Sequence, residues 1–281
     1  MMIFAVGFSL CACSKEANLT ESKKEKETEE VISEEAVDCS SYFEGLTGGA
    51  VIFDSANGKH YVYNEVICKK QVSPCSTFKI ISTLMGLENA VLTTEDSIMG
   101  YDGSIYPIDE WNTELSLTDA FQKSCVWYFR KVIDEVGRDE AKRELENLGY
   151  GNCDISEWDG SGINPLDDLN GFWLESSLKI SPIEQAMILA DIFEGNTDYS
   201  EKNISILKDI MQVDADIDNR MKTYGKTGSG INGHAWFVGF IEENEQRYYF
   251  AVYIDDNSKN DISRNTAKEI AVNILEDFNE N

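Results

Sequence analysis

Two side chains one helical turn apart raise the first question of chemistry. In "SPCSTFKIISTLMG", Ser76 offers a hydroxyl and Lys79 an amine, and an almost wholly apolar run follows. Residues three apart share a helix face, so the amine can reach the hydroxyl. Ile80, Ile81, Leu84, Met85 and Leu87 cover most of the helix surface, which predicts a central, buried helix. Burial disfavours a charged ammonium. A neutral lysine, directly or as a derivative, can take the serine's proton, which nucleophilic catalysis by a hydroxyl requires. The Ser-x-x-Lys spacing is weak evidence by itself, because Ser176/Lys179 and Ser205/Lys208 repeat it. On spacing alone, a helix-capping serine beside a snorkelling lysine is the better-supported reading.

Two further stretches could join this pair. "KSCVWYF" carries Ser124 and Val126 in a long amphipathic segment over 117–136, and "YGKTGSG" carries Lys226-Thr227-Gly228 and Ser229 after a β-like run. A strand that offers Lys and Thr side chains, with no bulk at Gly228, can lie along a substrate and bind its carboxylate. Taken singly, Ser124 reads as a helix-face serine and the tripeptide as a surface turn.

In order, Ser-Thr-Phe-Lys at 76–79, Ser-Cys-Val at 124–126, Tyr-Gly-Asn at 150–152 and Lys-Thr-Gly at 226–228 resemble the motif set of class D serine β-lactamases. These are the oxacillinase type within the penicillin-binding-protein/β-lactamase superfamily. The resemblance runs from about Tyr63 to the C-terminus and takes in "WNTELSLTDAFQKSCVWYF", "LGYGN", "GFWLESSLKISPIEQ", "HAWFVGF" and Arg264. It implies a β-lactamase/transpeptidase-like fold in which Ser76 is acylated by the carbonyl of a small-molecule β-lactam of the penicillin type. Lys79 would carry CO₂ from bicarbonate as an N-carboxylate, the general base for acylation and deacylation, with no other cofactor and no metal. Val126, Trp173 and Leu174 would surround that group, the donor-only Trp173 indole N–H pointing to it. Ser124 would relay a proton to the β-lactam nitrogen and Lys226 would supply positive potential. Thr227 and Arg264 would hold the substrate carboxylate, and the backbone N–H groups of Ser76 and Ser229 would form the oxyanion hole.

The resemblance gives Tyr150-Gly151-Asn152 a structural part, and Cys75 and Cys125 read as small packing residues. One departure is Ala235, preceded by His234, where glycine often precedes the Trp-Phe-Val-Gly strand; the other is a strongly acidic surface. Both are expected to change which β-lactams fit. Two alternatives share the motifs: the receptor domain of a resistance regulator, which binds β-lactams and stays acylated, and a DD-peptidase or transpeptidase. The chain carries no long multi-helix membrane portion or metalloprotease domain, so a resistance-conferring hydrolase is the expectation.

The elements that must position these residues follow from pattern. With 42% hydrophobic and 11% aromatic residues, 281 residues can bury a substantial core. "GGAVIFDSANGKHYVYN" predicts a hairpin closed at Asn57-Gly58. Helices follow around Ser76 and over 117–136, then from Ile183 to Glu194 after Ser181-Pro182. Strands return in "RMKTYGKTGSG", "HAWFVGFI" and "RYYFAVYID", and the chain ends in a helix with apolar positions Ile270, Ile274, Leu275 and Phe278. The expected fold is α+β: an antiparallel sheet flanked by helices, with an inserted helical lobe.

A formal charge of −27 repels phosphate backbones, so nucleic acid is not an expected partner. Residues 1–13 read as a secretory signal segment. Leu10-Cys11-Ala12-Cys13 resembles a bacterial lipobox, implying lipidation of Cys13; an uncleaved hydrophobic anchor is the other reading. Residues 14–38, rich in Glu and Lys, read as a charged flexible tether to a domain over 39–281. The expected location is the outer face of the cell membrane, reached by export and held by lipid, with a released fraction. Cys39, Cys68, Cys75, Cys125 and Cys153 are an odd set without CxxC, which argues against a disulfide framework or a zinc cluster. With His60 and His234 as the only histidines, a histidine metal site is not expected either.

Overall fold

The computed structural model describes residues 33–213, 222–231, 233–243, 246–258 and 262–280. The expected signal segment, Cys13 and most of the tether lie outside these residues. A compact unit spans residues 32–281.

Its centre is a six-stranded sheet in the order β1-β3-β2-β6-β5-β4. The predicted hairpin is β2 (Gly48–Asp54) and β3 (Lys59–Tyr63). Asp54 closes it, its carboxylate accepting the backbone N–H groups of Ala56 and Asn57 at 3.1 and 3.2 Å. The later strands are β4 (Lys222–Ser229), β5 (His234–Glu243) and β6 (Gln246–Asp255), paired antiparallel.

The sheet is the expected one flanked by helices, and it carries one further strand at its edge. β1 (Ser33–Ala36) falls in the expected tether, yet pairs in parallel with β3, Ser33 opposite Lys59 and Ala36 opposite Val62. All four of its residues are exposed. It adds to an open edge through backbone hydrogen bonds and the ion pairs Lys59–Glu35 (2.5 Å) and Lys69–Glu34 (3.2 Å). No apolar side chain is needed for that, so composition carried no sign of it.

Around the sheet lie α1 (Ser40–Phe43), α2 (Glu65–Cys68), α3 (Lys79–Glu88), α4 (Leu117–Gln122), α5 (Val126–Val136), α6 (Arg138–Leu148), α7 (Pro182–Phe193), α8 (Glu201–Met211) and α9 (Arg264–Glu280). The Ser181 hydroxyl and the Glu184 carboxylate form a reciprocal capping box on α7, with Pro182 at its first position. Helices α6 and α8 have no counterpart in the expected order. The first is strongly charged and buries only Ala141 and Leu145, so its apolar periodicity is faint.

Strand β5 shows how two cores share one sheet. Ala235, Phe237 and Ile241 face a cluster with Ala267, Ile270, Ala271, Ile274 and Leu275 of α9, while Trp236, Val238 and Phe240 face the larger cluster containing α3, α5 and α7. The alternation follows the two-residue period of a strand, and the α9 set follows the three- and four-residue steps of a helix. Each such buried side chain contributes about 1.5–3 kcal/mol. β4 lies at the sheet edge, where Gln212 and Val213 bridge its first half and Ser229 at its other end borders a cleft.

Because β1 buries no apolar side chain, its worth is a few backbone bonds of about 1 kcal/mol each. A chain beginning at Val37 should melt roughly 2–6 °C below one beginning at Ile32. Identical midpoints by calorimetry would mean that β1 adds nothing to the fold.

Candidate active site

The nucleophile candidate sits where a tight turn becomes a helix. A 3-10 turn, Cys75–Phe78, runs directly into α3, placing Ser76 partly exposed and Lys79 at the first helical position with no exposed surface. The Lys79 Nζ donates to the Ser76 Oγ at 2.9 Å, and the ring of Phe129 on α5 lies 5.4 Å from it. Neither the turn nor α3 has a side-chain cap, and Lys79 does not reach solvent. The capping-and-snorkelling alternative is therefore not what the structure adopts. The repeated spacings serve elsewhere: Lys208 pairs with Glu242 at 2.6 Å, and Lys179 is a partly exposed loop residue.

The turn is fixed by a buried serine. The Ser73 hydroxyl donates to the Trp173 carbonyl at 2.9 Å and accepts the Glu175 N–H at 2.9 Å. The Ser73 carbonyl accepts the Trp236 indole N–H at 3.0 Å, tying the turn to β5. Gly228 lets β4 lie against the same turn, since a Cβ there would come within 3.1 Å of Thr77 Cγ2 and 3.2 Å of the Pro74 carbonyl.

Ser124 occupies a position the sequence pattern concealed. The segment over 117–136 is two helices, broken at Lys123-Ser124-Cys125. The Cys125 N–H donates to the Ala120 carbonyl (2.8 Å) and the Ser124 N–H to that of Phe121 (3.1 Å), a Schellman closure of α4. Its left-handed position, usually glycine, is Ser124 at φ +58°. The strained backbone turns the hydroxyl inward, where Lys226 Nζ donates to it at 3.1 Å. Lys226 is 4% exposed, and its ammonium also donates to the Thr227 carbonyl at 3.1 Å.

Ser76, Ser124, Val126, Leu174, Glu175 and Ser229 line one cleft of about 310 Å³. Trp173 is fully buried against Phe78, 5.5 Å between ring centroids, and its Nε1 has no hydrogen-bond partner among the described residues. Thr227 lies beyond the cleft, in a neighbouring hollow with Lys226 and Asn265. Arg264 opens α9, and its side chain lies outside the described residues. Asn152 fastens the loop after Trp173, its N–H donating to the Lys179 carbonyl and its Nδ2 to the Ser177 carbonyl, both at 2.9 Å. The five described cysteines are free; burial pushes the Cys75 thiol up to about 12 and that of Cys125 to about 11.

Glu175 is a cleft residue without a role in the sequence reading. The one sign of it was a carboxylate inside the apolar run "GFWLE". Burial pushes its carboxyl up, but the hydrogen bond and charge of His234 and the Ile231 N–H outweigh that and hold it below the usual range.

A hydroxyl bonded to a buried amine, facing a second Ser–Lys pair beside a sheet edge, is suited to acyl transfer from a small carbonyl compound. Residues 48–276 match the penicillin binding protein transpeptidase domain family, and the chain belongs to the superfamily of penicillin-binding proteins and serine β-lactamases, with class D β-lactamases as structural neighbours. Regulatory protein BlaR1 of Bacillus licheniformis is 36% identical over 245 residues, covering 85% of this chain and 38% of its own. The chain thus spans about two fifths of the length of the regulatory relatives it matches. The probable beta-lactamase YbxI of Bacillus subtilis is 32% identical over 239 residues, 84% of this chain and 82% of that one. The solved class D beta-lactamase from Sebaldella termitidis superposes with a TM-score of 0.78 at 31% identity, covering 88% of this chain and 98% of that one.

The strain at Ser124 predicts a separation of stability from reactivity. Ser124→Gly removes a left-handed penalty of about 1–2 kcal/mol, partly offset by glycine's added freedom in the unfolded chain. Its unfolding midpoint in urea should match or exceed the parent's, while the reaction of Ser76 with a penicillin slows by about 10² or more. A variant that reacts at the parental rate would remove Ser124 from the chemistry.

Proposed function

We propose that this chain is a serine β-lactamase of class D type that hydrolyses penicillin-type β-lactams and so confers resistance to them. The observation that carries the reading is the 2.9 Å contact between Ser76 Oγ and the fully buried Lys79 Nζ. Ser76 attacks the β-lactam carbonyl, the ring C–N bond breaks, and the ring nitrogen takes a proton through Ser124. Water then cleaves the ester at Ser76 and releases the ring-opened acid. Lys226 supplies positive potential beside Ser124. Thr227 and Arg264 receive the substrate carboxylate, and the N–H groups of Ser76 and Ser229 receive the carbonyl oxygen.

Lys79 held as its N-carboxylate would supply the general base for both halves of the reaction. Two features of the chain support that modification. An amine adds CO₂ only when neutral, and burial disfavours the ammonium. Trp173 Nε1 is a buried donor without a partner among the described residues, and an indole N–H suits an anionic acceptor. Val126 and Leu174 present apolar side chains on the cleft wall and offer no competing donor.

A second reading is favoured by the likeness to regulatory protein BlaR1: a β-lactam receptor that stays acylated at Ser76. The two share acylation and differ in whether the ester is released. The likeness to the transpeptidase domain family also leaves a peptidase to be tested in the same assay. For its location we propose export and lipid attachment at Cys13.

Mixing the protein with a chromogenic β-lactam in bicarbonate buffer and following absorbance and intact mass together separates these readings. Sustained turnover over many equivalents with transient acylation is expected; a one-equivalent burst leaving a lasting Ser76 adduct would mean a receptor or a peptidase. Lys79→Ala should reduce turnover by about 10²–10⁴. Turnover should fall below neutral pH and recover with added bicarbonate, and indifference to bicarbonate would count against the N-carboxylate. Cys13→Ala should move the protein from the membrane fraction into the medium. Unchanged retention would assign anchoring to the apolar segment itself.

A further inference from the structure

The two walls of the cleft mouth are joined by a histidine held between carboxylates. Glu175 comes from the wall that follows Trp173; Ser229, Gly230 and Ile231 form the wall that continues β4. The Glu175 Oε1 accepts the Ile231 N–H at 3.2 Å and faces the Nδ1 of His234 at 3.3 Å. The other ring nitrogen, Nε2, lies 3.2 Å from Asp255 Oδ1, and Asp255 Oδ2 is paired with Lys70 at 2.7 Å. The walls meet closely because residue 230 lacks a side chain: a Cβ there would fall 1.8 Å from Glu175 Oε1.

This geometry favours the charged ring. Carboxylates only accept hydrogen bonds, and a neutral imidazole has one N–H and one lone pair. Nδ1 is hydrogen-bonded to Glu175 and the Asp255 oxygen near Nε2 adds a second negative charge, so the ring is best stabilised as an imidazolium. On losing a proton it turns a lone pair toward one carboxylate, and that contact becomes repulsive. Among the described residues, the charged or titratable groups facing the ring are Glu175 from the loop after Trp173, Asp255 and Tyr253 from β6, the latter 6.0 Å between ring centroids, and Lys70 beyond Asp255. The Cys75 thiol lies 3.7 Å from the same Glu175 Oε1 and is held neutral by burial.

We propose that His234, doubly protonated between Glu175 and Asp255, clasps the two walls of the cleft mouth together, and that losing its proton opens the mouth to β-lactams with bulkier side groups. The proposal rests on the reading of the cleft as a β-lactam site. His234 and Glu175 are then positioning residues that set substrate size; they do not take part in bond making. The direction in pH follows from the shifts: the hydrogen bond to Glu175 raises the His234 pKa, against burial, and Glu175 is held low. A histidine raised above its usual range contributes its contact fully below about 6.5 and loses it as pH rises through the raised value. The clasp is therefore closed on the acid side and released toward the alkaline side.

The test is a ratio: kcat/KM for a penicillin with a bulky aryl side group divided by that for 6-aminopenicillanic acid, measured across pH in saturating bicarbonate. Effects of pH on Ser76 and Lys79 are common to both substrates and cancel. The ratio should rise about tenfold as pH passes through the His234 titration, the scale of one charge-assisted hydrogen bond. In His234→Gln it should stay flat at the high-pH value, with kcat/KM for the small substrate unchanged. A ratio independent of pH, or a rise that persists in His234→Gln, overturns the clasp and leaves the hydrolase reading intact. If adducts at Ser76 persist, acylation rates by intact mass give the same ratio. Should neither substrate react, the hydrolase reading falls, and nitrogen-15 NMR decides the clasp alone. The Ile231 amide should shift with the same midpoint as the His234 ring, with His60 as the internal control, and a stationary Ile231 amide overturns it.

Discussion

An amine with no exposed surface is the constraint on which the rest of this structure depends. Removing an ammonium from water costs several kcal/mol unless it is paired or gives up its charge. Lys79 is nevertheless placed at the start of α3, a helix in which nine of ten residues are buried. Such a position persists only if the surrounding core is large and closely packed. The sheet face bearing Trp236, Val238 and Phe240, with α5 and α7, supplies that core. It also holds Ser76 at the cleft wall, so one arrangement buries the amine and presents the hydroxyl.

The cleft is ringed by backbone conformations that local preference resists. Cys75 (φ +50°), Ser124 (φ +58°) and Glu175 (φ +48°) are all left-handed, none is glycine, and all three line the cleft. Each costs about 1–3 kcal/mol and survives because its surroundings over-determine it. For Cys75 those surroundings are its N–H bond to the Trp173 carbonyl and the run into α3; for Ser124, the Schellman closure of α4 and Lys226; for Glu175, the Ser73 hydroxyl, Ile231 and His234. Each strained residue adjoins or carries a polar side chain facing the cleft. Relaxing any of them would favour the fold locally and misdirect that side chain.

How much of this could be read in the sequence depended on the range of the interactions. The hairpin at Asn57-Gly58, the capping box of α7 and the helical stripe of α9 are local patterns, and they appear where the residues put them. Ser76 and Lys79 were legible as a pair because both lie on one helical turn. Three Ser-x-x-Lys spacings were not distinguishable by themselves; burial distinguishes them, and burial depends on distant chain. Ser124 was visible as a residue but not as a break, since Val126 and Trp127 continue an apolar pattern across it. The contact between Glu175 and His234 joins residues 59 apart and left no trace in either neighbourhood. β1 carries no apolar signal, for it is held by backbone hydrogen bonds and by ion pairs of Glu34 and Glu35.

Whether an acylated Ser76 is released depends on a few groups, and overall likeness weighs little against them. Identities of 36% to a regulator and 32% to a probable β-lactamase average over an entire domain, most of it core and surface remote from Ser76. The fold is common to both kinds of relative, so it cannot separate them. What separates them must act on the second step, where water attacks the ester and a base has to persist. Val126 puts an apolar side chain on the cleft wall, and Trp173 Nε1 is a buried donor without a partner among the described residues. On the hydrolase reading proposed above, that donor would offset part of the cost of burying an anionic base, a cost that the apolar wall increases.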